Sequence, residues 1–556
     1  MKIKMLSKLL LCAILIVTSI FGAVGCRRDG GETIDTNKTQ LYIYNYNGGI
    51  GTNWLYKIEQ AFETEYENYE FEKGKKGIQI IIQANKDFDS DNFNFDQSIC
   101  HIAFCEKLTS SYFVNNNNLL DLTNVMNKIL EQPNVALSDD VREALLFKDK
   151  EHYYAIPHYE GGGGVIYDKD LFNKKGLYIG AEGGYVNAEE PKSVGPDGVP
   201  NTSDDGLPAT YEEFLNLCAQ MKKRSVTPFI ISGENRDQYY AYFLDRAAAA
   251  YNGNRLSRAN YTMNLDDMQY VESLTPNNNT LFGYDLNLNT TNLSEENGYL
   301  LKQTAGNYYA LSMFRELVSK KYYDTTGWSA TTSHTDAQEY FLKSSTPLLT
   351  NYDPIAMLFD GVWWENEAKD IFERMEKSNS KYSAKNRNFG WMPLPTKLNA
   401  DDVNMNGNPM ATLDSVCAFA IARKDVSAEM KKLIETFLIY TYQQENLEAF
   451  TVETGMSRVF QYKLSDENYN KLTTFQKEIW DLHNANNYIY RHGNSELVTM
   501  NDSNLFGSRW EGNKLYRNPC SEFAKANSIT GKEYFDDMWI SETRWMSKYD
   551  SYFGDK

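Results

Sequence analysis

The sequence predicts an α/β protein built on a largely parallel sheet, and three observations carry that prediction. A strand-like run over 41–47 alternates apolar and polar positions, and Gly48, Gly49 and Gly51 end it. Behind Thr52 as a cap, Trp54, Ile58, Ala61, Phe62 and Tyr66 fall on one helical face. Gly77 then precedes a second apolar run, Ile78 to Ile82. Strand, helix and strand joined by short turns make a βαβ unit, which favours a parallel sheet.

The pattern continues along the chain. Ile102, Ala103 and Phe104 read as a third strand, and helices are predicted over 120–130 and 139–146. Strands over 153–157 and 165–167 flank Gly161 to Gly164, and a helix begins at Asp168. The stretch 177–207 is a Gly- and Pro-rich loop. Thr210 with Glu213 is a capping box for a helix ending near Lys223. A strand over 228–231 follows. The Asn-rich stretch 252–297 reads as an irregular surface insertion. Helices are predicted over 298–320, 336–342, 363–377, 429–441 and 443–451, and strands near 347–349, 356–358, 389–395 and 416–421. More helices fill the C-terminal part.

Composition narrows the function. The formal charge of -19 opposes nucleic acid and anionic lipid as partners. Aromatic residues make up 14% of the chain, with 39 Tyr and 9 Trp, which suits either a large core or stacking on sugar faces. The seven cysteines are scattered and do not form a disulfide framework; buried, reduced thiols are expected. No H-E-x-x-H or G-x-S-x-G motif occurs, so enzyme signals are thin, and no catalytic cofactor is implied.

The first residues form an address. Lys2, Lys4 and Lys8 lead into an apolar run over 9–25, which ends in Ala23, Val24 and Gly25 before Cys26. That is a secretory signal over 1–25. The cysteine at the cut site resembles a bacterial lipobox, which implies lipid on Cys26, a linker over 26–38 and a place on the extracellular face of the cell membrane.

Six segments carry a further resemblance: YAIP at 154–157 with VIYDKDLF at 165–172, PATYEEF at 208–214, PIAMLFDGVWWENEA at 354–368, GWMPLP at 390–395 and TGMS at 454–457. In this order they resemble the family 1 extracellular solute-binding lipoproteins of carbohydrate ABC transporters, related to maltose-binding proteins. The resemblance implies a type II, two-lobed periplasmic-binding-protein-like α/β fold with a hinge and an interlobe cleft. Lobe 1 would span 39–165 and 396–450, and lobe 2 would span 166–395 and 451–556, with crossings near 159–167, near 393–410 and after Thr451. It implies a monomer and no enzyme: a binder that captures an oligosaccharide and delivers it to permease subunits by hinge closure. A secreted glycan-active enzyme and a glycan-binding surface protein without a transporter are the competing classes.

Candidate contacts follow from strand ends, where open α/β sheets bind ligands. They are Asn45, Tyr46, Asn47 and Gly48 with Trp54 beyond them; Tyr159 and Glu160 beside the glycine run; and Glu234 after the strand at 228–231. Trp363, Trp364 and Glu365 follow Gly361, and the resemblance points to Trp363 as the stacking residue. Asp414, Gly455 and Arg458 complete the set. The loop 195–208 resembles a short extracellular calcium loop, with Asp197, Asn201, Asp204 and Asp205 as oxygen donors for structural calcium.

Overall fold

The computed structural model describes residues 33–556 except 86–92, 107–117, 146–150, 403–412, 415–417, 486–487, 490–508, 512–513, 517, 526 and 554–556. The signal and Cys26 therefore lie outside the described residues, as do 416–417 of the strand predicted at 416–421. Two mixed sheets organise the chain. The first contains β1 (Thr39–Tyr46), β2 (Ile78–Asn85), β3 (Ile102–Glu106) and β4 (Ile156–Pro157). The second begins with β5 (Gly163–Asp168). Two short strands, β6 (Tyr178–Ile179) and β7 (Tyr185–Val186), pair within the 177–207 stretch, and β8 (Thr227–Ile231) rejoins the second sheet. Then come a hairpin, β9 (Leu265–Pro276) with β10 (Tyr284–Leu293), two more strands of the second sheet, β11 (Ile355–Gly361) and β12 (Phe389–Trp391), and β13 (Leu413–Asp414). β14 (Ala418–Ala422) returns to the first sheet.

The first sheet has the order β2-β1-β3-β14-β4. β1 runs parallel to β2 and β3, as the βαβ reading requires, and β14 is antiparallel to β3 and β4. The helix Asn53–Glu65 buries Trp54, Leu55, Ile58 and Phe62 against it. The second sheet has the order β12-β5-β11-β8, with β11 parallel to β8 and antiparallel to β5. Every residue of β5, β8 and β11 is buried, because helices cover both faces. Val165, Phe229, Ile231 and Phe359 face the core made with helices Tyr211–Lys223, Arg236–Thr262 and Ala305–Ser319. Ile166, Ile230, Ile355 and Leu358 join the core shared with Phe341, Trp364 and Phe475. Phe359 stacks between Phe229 and Phe243 at 4.4 and 4.5 Å. Such pairs add about 0.5–1.5 kcal/mol each beyond burial.

Three expectations are corrected. The 252–297 insertion is regular: its first residues continue the long helix to Thr262 across a break at Gly253, and the rest is the antiparallel hairpin. Asparagine does not prevent pairing there, because Asn287 donates to Ser273 and Thr275 across the strands at 3.0 and 2.8 Å. Met268 and Leu293 of the hairpin pack with Trp545 of the C-terminal helix Glu542–Phe553, and the Trp545 indole donates to the Glu295 carbonyl at 2.6 Å. Residues 347–349 form turns, not a strand. The helix predicted over 363–377 is two, Trp364–Glu367 and Lys369–Ser378.

Candidate functional site

The segment after β1 meets the segment after β11 across the two sheets. The meeting point is the turn after β1. The Asn366 side chain donates to the Gly49 carbonyl at 2.7 Å. A Cβ on Gly49 would lie 2.6 Å from Trp363 Cβ and Cγ, so only glycine lets the turn approach the indole. Gly361 plays the same part at the other end of the indole, since a Cβ there would lie 2.2 Å from Cζ2 and 2.3 Å from Cε2. The Trp363 side chain thus packs on two glycines, Gly49 in the turn after β1 and Gly361 at the end of β11. It is half-buried, and Tyr242, also half-buried, meets it edge-on at 6.4 Å. Tyr239 hydrogen-bonds the Trp363 side chain. This leaves aromatic area with polar groups around it, the combination that suits an amphipathic ring such as a sugar.

Two acids stand close by in the chain. Asp360, at the end of β11, accepts from the Gly361 N–H at 2.7 Å and from the Gln338 amide at 3.0 Å; the same amide donates to Glu367 at 3.0 Å. Burial and the Glu367 carboxylate push Asp360 up to about 7. On the facing sheet, Tyr159 donates to Glu106 at the end of β3, and a Cβ on Gly48 would crowd both Tyr46 and Glu106. Tyr46, Gly48, Glu106 and Tyr159 therefore form one patch.

Other candidates lie elsewhere. Asn45 is fully buried and donates to the Gly51 carbonyl and Thr52 at 3.2 Å each, so it shapes the turn; Asn47 accepts from Thr52 at 3.2 Å at its rim. Trp54 is 1% exposed, packed on Phe104, His158 and Phe450 under the Arg458 guanidinium. Arg458 is itself fully buried, bonded to His158 and laid on the Phe450 ring at 3.8 Å. Burial lowers it to about 10. Trp364 is a core residue among Phe341, Phe372, Phe389 and Phe475. Glu365 is buried on Thr473 at 2.7 Å and pushed up to about 7 by that burial. Glu160 is not solvated: it is buried, paired with His483 at 2.6 Å, and burial raises it against the pull of that histidine. Gly455 takes φ 71 to end the helix Gln444–Thr454. Glu234 is exposed beside β8, and Asp414 lies in β13. The geometry adds Tyr242, Asn366 and Glu106; Asn366 lies in the 354–368 segment but not among its candidate contacts, and Tyr242 is three residues after Tyr239 on a helix that starts near the end of β8, a spacing that is the available signal.

In the acidic loop, Asp204 accepts from the Asp197 N–H at 2.9 Å and the Thr202 hydroxyl at 2.6 Å. Asp205 accepts from the Asn201 N–H at 2.9 Å, and Asp197 from the Val199 N–H at 2.7 Å. The carboxylates close the turn themselves. Among the described residues no group of three or more His, Cys, Asp or Glu side chains is placed to hold a metal, and no helix is long and apolar enough to cross a membrane. Cys100, Cys105, Cys218 and Cys520 are buried thiols.

No protein-family model and no curated protein matches the chain. Solved structures do. A chitin oligosaccharide binding protein matches with a TM-score of 0.54 at 12% identity, covering 92% of this chain and 99% of its own. A structure from work on xylan utilization by the thermophilic bacterium Caldanaerobius polysaccharolyticus matches at 0.54 and 13%, covering 90% and 99%. Maltose-bound MalE3 from T. maritima matches at 0.52 and 13%, covering 92% and 99%. The chain is similar to these over nearly its whole length, and it has their two-lobed α/β fold.

Proposed function

We propose that the protein captures a carbohydrate, an oligosaccharide, between its two sheets and delivers it to the permease of an ABC importer. The observation that carries this reading is the half-buried Trp363 indole, held where the strand ends of both sheets meet. A ligand that stacks there touches groups from both lobes, Tyr46 and Glu106 on one and Tyr242 and Trp363 on the other. It therefore binds the closed arrangement better than an open one, which is what drives closure. The structural neighbours, a chitin oligosaccharide binding protein, one from work on xylan utilization and a maltose-bound protein, support a sugar as the ligand class. Lipid on Cys26 and a cell-surface location belong to the same proposal, as does calcium in the 195–208 loop. An ion there competes with hydrogen bonds already made, which puts it in the weak range of extracellular sites, about 10⁻⁴–10⁻³ M.

Incubation with a glycan panel, read by calorimetry and by product analysis, tests the reading. Stoichiometric binding without product is expected. Turnover of any glycan makes the protein an enzyme and sinks the proposal.

A further inference from the structure

Among the described residues, no carboxylate balances the charge of Arg458. The residue is fully buried, in the loop that follows the helix Gln444–Thr454. Burial lowers its pKa to about 10, which leaves it cationic at neutral pH. The other groups that act on its ionisation are Tyr442 and Tyr462, neither of them charged at that pH. Glu160, two residues beyond His158, is already paired with His483 at 2.6 Å. Buried charges are costly and are found paired. Aromatic rings offset part of the cost: the guanidinium carbon lies 3.8 Å from the centre of the Phe450 ring and 4.9 Å from the Trp54 and Tyr442 rings.

The hydrogen bonds show which edge of the guanidinium is in want of a partner. Nη1 donates to Nδ1 and to the carbonyl of His158. Nε and Nη2 are buried and bond to nothing. Their N–H groups point the same way in the guanidinium plane, and together they are the fork with which arginine grips an anion. Stacking on Phe450 covers the plane and leaves that edge without an acceptor. The groups around it are also short of acceptors. Trp54 Nε1 and the Ser457 and Tyr442 hydroxyls are buried and unpartnered, and so is His158 Nε2. Because His158 Nδ1 accepts from Arg458, the proton of its neutral ring is on Nε2. All six atoms can therefore donate. Water brings two protons of its own and no charge, whereas a monatomic anion brings charge and accepts from any direction. We propose that the Nε–Nη2 edge of Arg458 holds a halide ion inside the fold, with Trp54 and Ser457 as neighbouring donors. The ion ties the start of the helix Asn53–Glu65 to the segment after β4 and to the loop 455–458, and it is taken up as the chain folds. This site shares no residue with the Trp363 site and does not depend on the carbohydrate reading.

Two measurements on the protein test it. Crystals grown with sodium bromide as the only halide should show an anomalous peak within hydrogen-bond reach of both Nε and Nη2 of Arg458. Bromide on the surface alone, an adventitious ion only, overturns the proposal, and so does water at the fork. Thermal melts form the second measurement, with sodium chloride exchanged for sodium gluconate at constant ionic strength. The melting temperature should rise by about 1–2 °C for each tenfold increase in chloride, because the ion binds the folded chain and not the unfolded one. A melting temperature that ignores the exchange overturns the site. Arg458→Met should melt without any dependence on chloride, and a wild-type slope in that variant places the ion elsewhere. Should Arg458→Met fail to fold, the bromide peak in the wild type decides.

Discussion

Gly49→Ala separates closure from folding. Gly49 is not among the left-handed glycines, so alanine fits its backbone. Across the gap, the new Cβ would stand 2.6 Å from Trp363 Cβ and Cγ, about 1 Å inside the contact distance of two carbons. The lobes must part by about that much, or the indole must leave its place. Overpacking of this kind costs about 1–3 kcal/mol, and here the cost falls on the closed arrangement alone. Coupling of that size weakens glycan binding about 5- to 150-fold. The melting temperature of the unliganded protein should barely move if the open state takes up the strain. Calorimetry gives the affinity, and solution scattering with saturating glycan gives compaction. Wild-type affinity together with wild-type compaction in Gly49→Ala would refute the argument that the Gly49–Trp363 contact belongs to the ligand-bound state.

Two adjacent indoles should behave oppositely. Trp364→Ala empties a core site and should cost about 3–5 kcal/mol of stability in denaturant melts, whereas Trp363→Ala should leave the melt nearly unchanged and remove glycan binding. The buried carboxyls give a signed pH dependence. Asp360 and Glu365 sit near 7 in the fold against lower unfolded values, so the folded state holds the extra protons; stability should fall as pH rises from about 4 to about 7 and then level off. Asp360→Asn should flatten part of that slope in melts taken across the window, and an unchanged slope would contradict the assignment. For the 195–208 loop, millimolar calcium should raise the melting temperature of the wild type and not of Asp204→Ala; no shift in either would remove the ion from the proposal.

Local patterns carried much of the fold. The alternation in β1, the amphipathic helix behind it and the apolar run of β2 dictate a parallel unit because each is a short-range preference; the Thr52 expected to cap that helix makes no side-chain cap bond and instead ties the turn to Asn45 and Asn47. The insertion failed for the opposite reason. Its strands are held by cross-strand asparagine bonds and by Trp545 from the far end of the chain, and neither is visible in a window of ten residues. Residues 347–349 illustrate the same limit, since an apolar triplet cannot tell a strand from a turn.

The site was legible as a set of strand ends, and much less so as side chains. Asn45, Trp54, Glu160 and Arg458 all stand near strand ends or turns, and all are buried on protein partners in the structure. Position along the chain cannot separate a group aimed into the gap from one turned beneath it. The indole pair shows what does. Trp363 and Trp364 differ by one residue, which on a helix is about a quarter turn. That rotation places Trp364 among four phenylalanines and Trp363 between Gly49 and Gly361. The glycines are the physical reason for the difference: a side chain at either position would occupy the space the indole needs. One of them, Gly49, lies more than three hundred residues away in sequence, in the first lobe. The residue that makes Trp363 a candidate for stacking therefore follows β1 of the other sheet, and the approach of the turn after β1 to the segment after β11 brings it there.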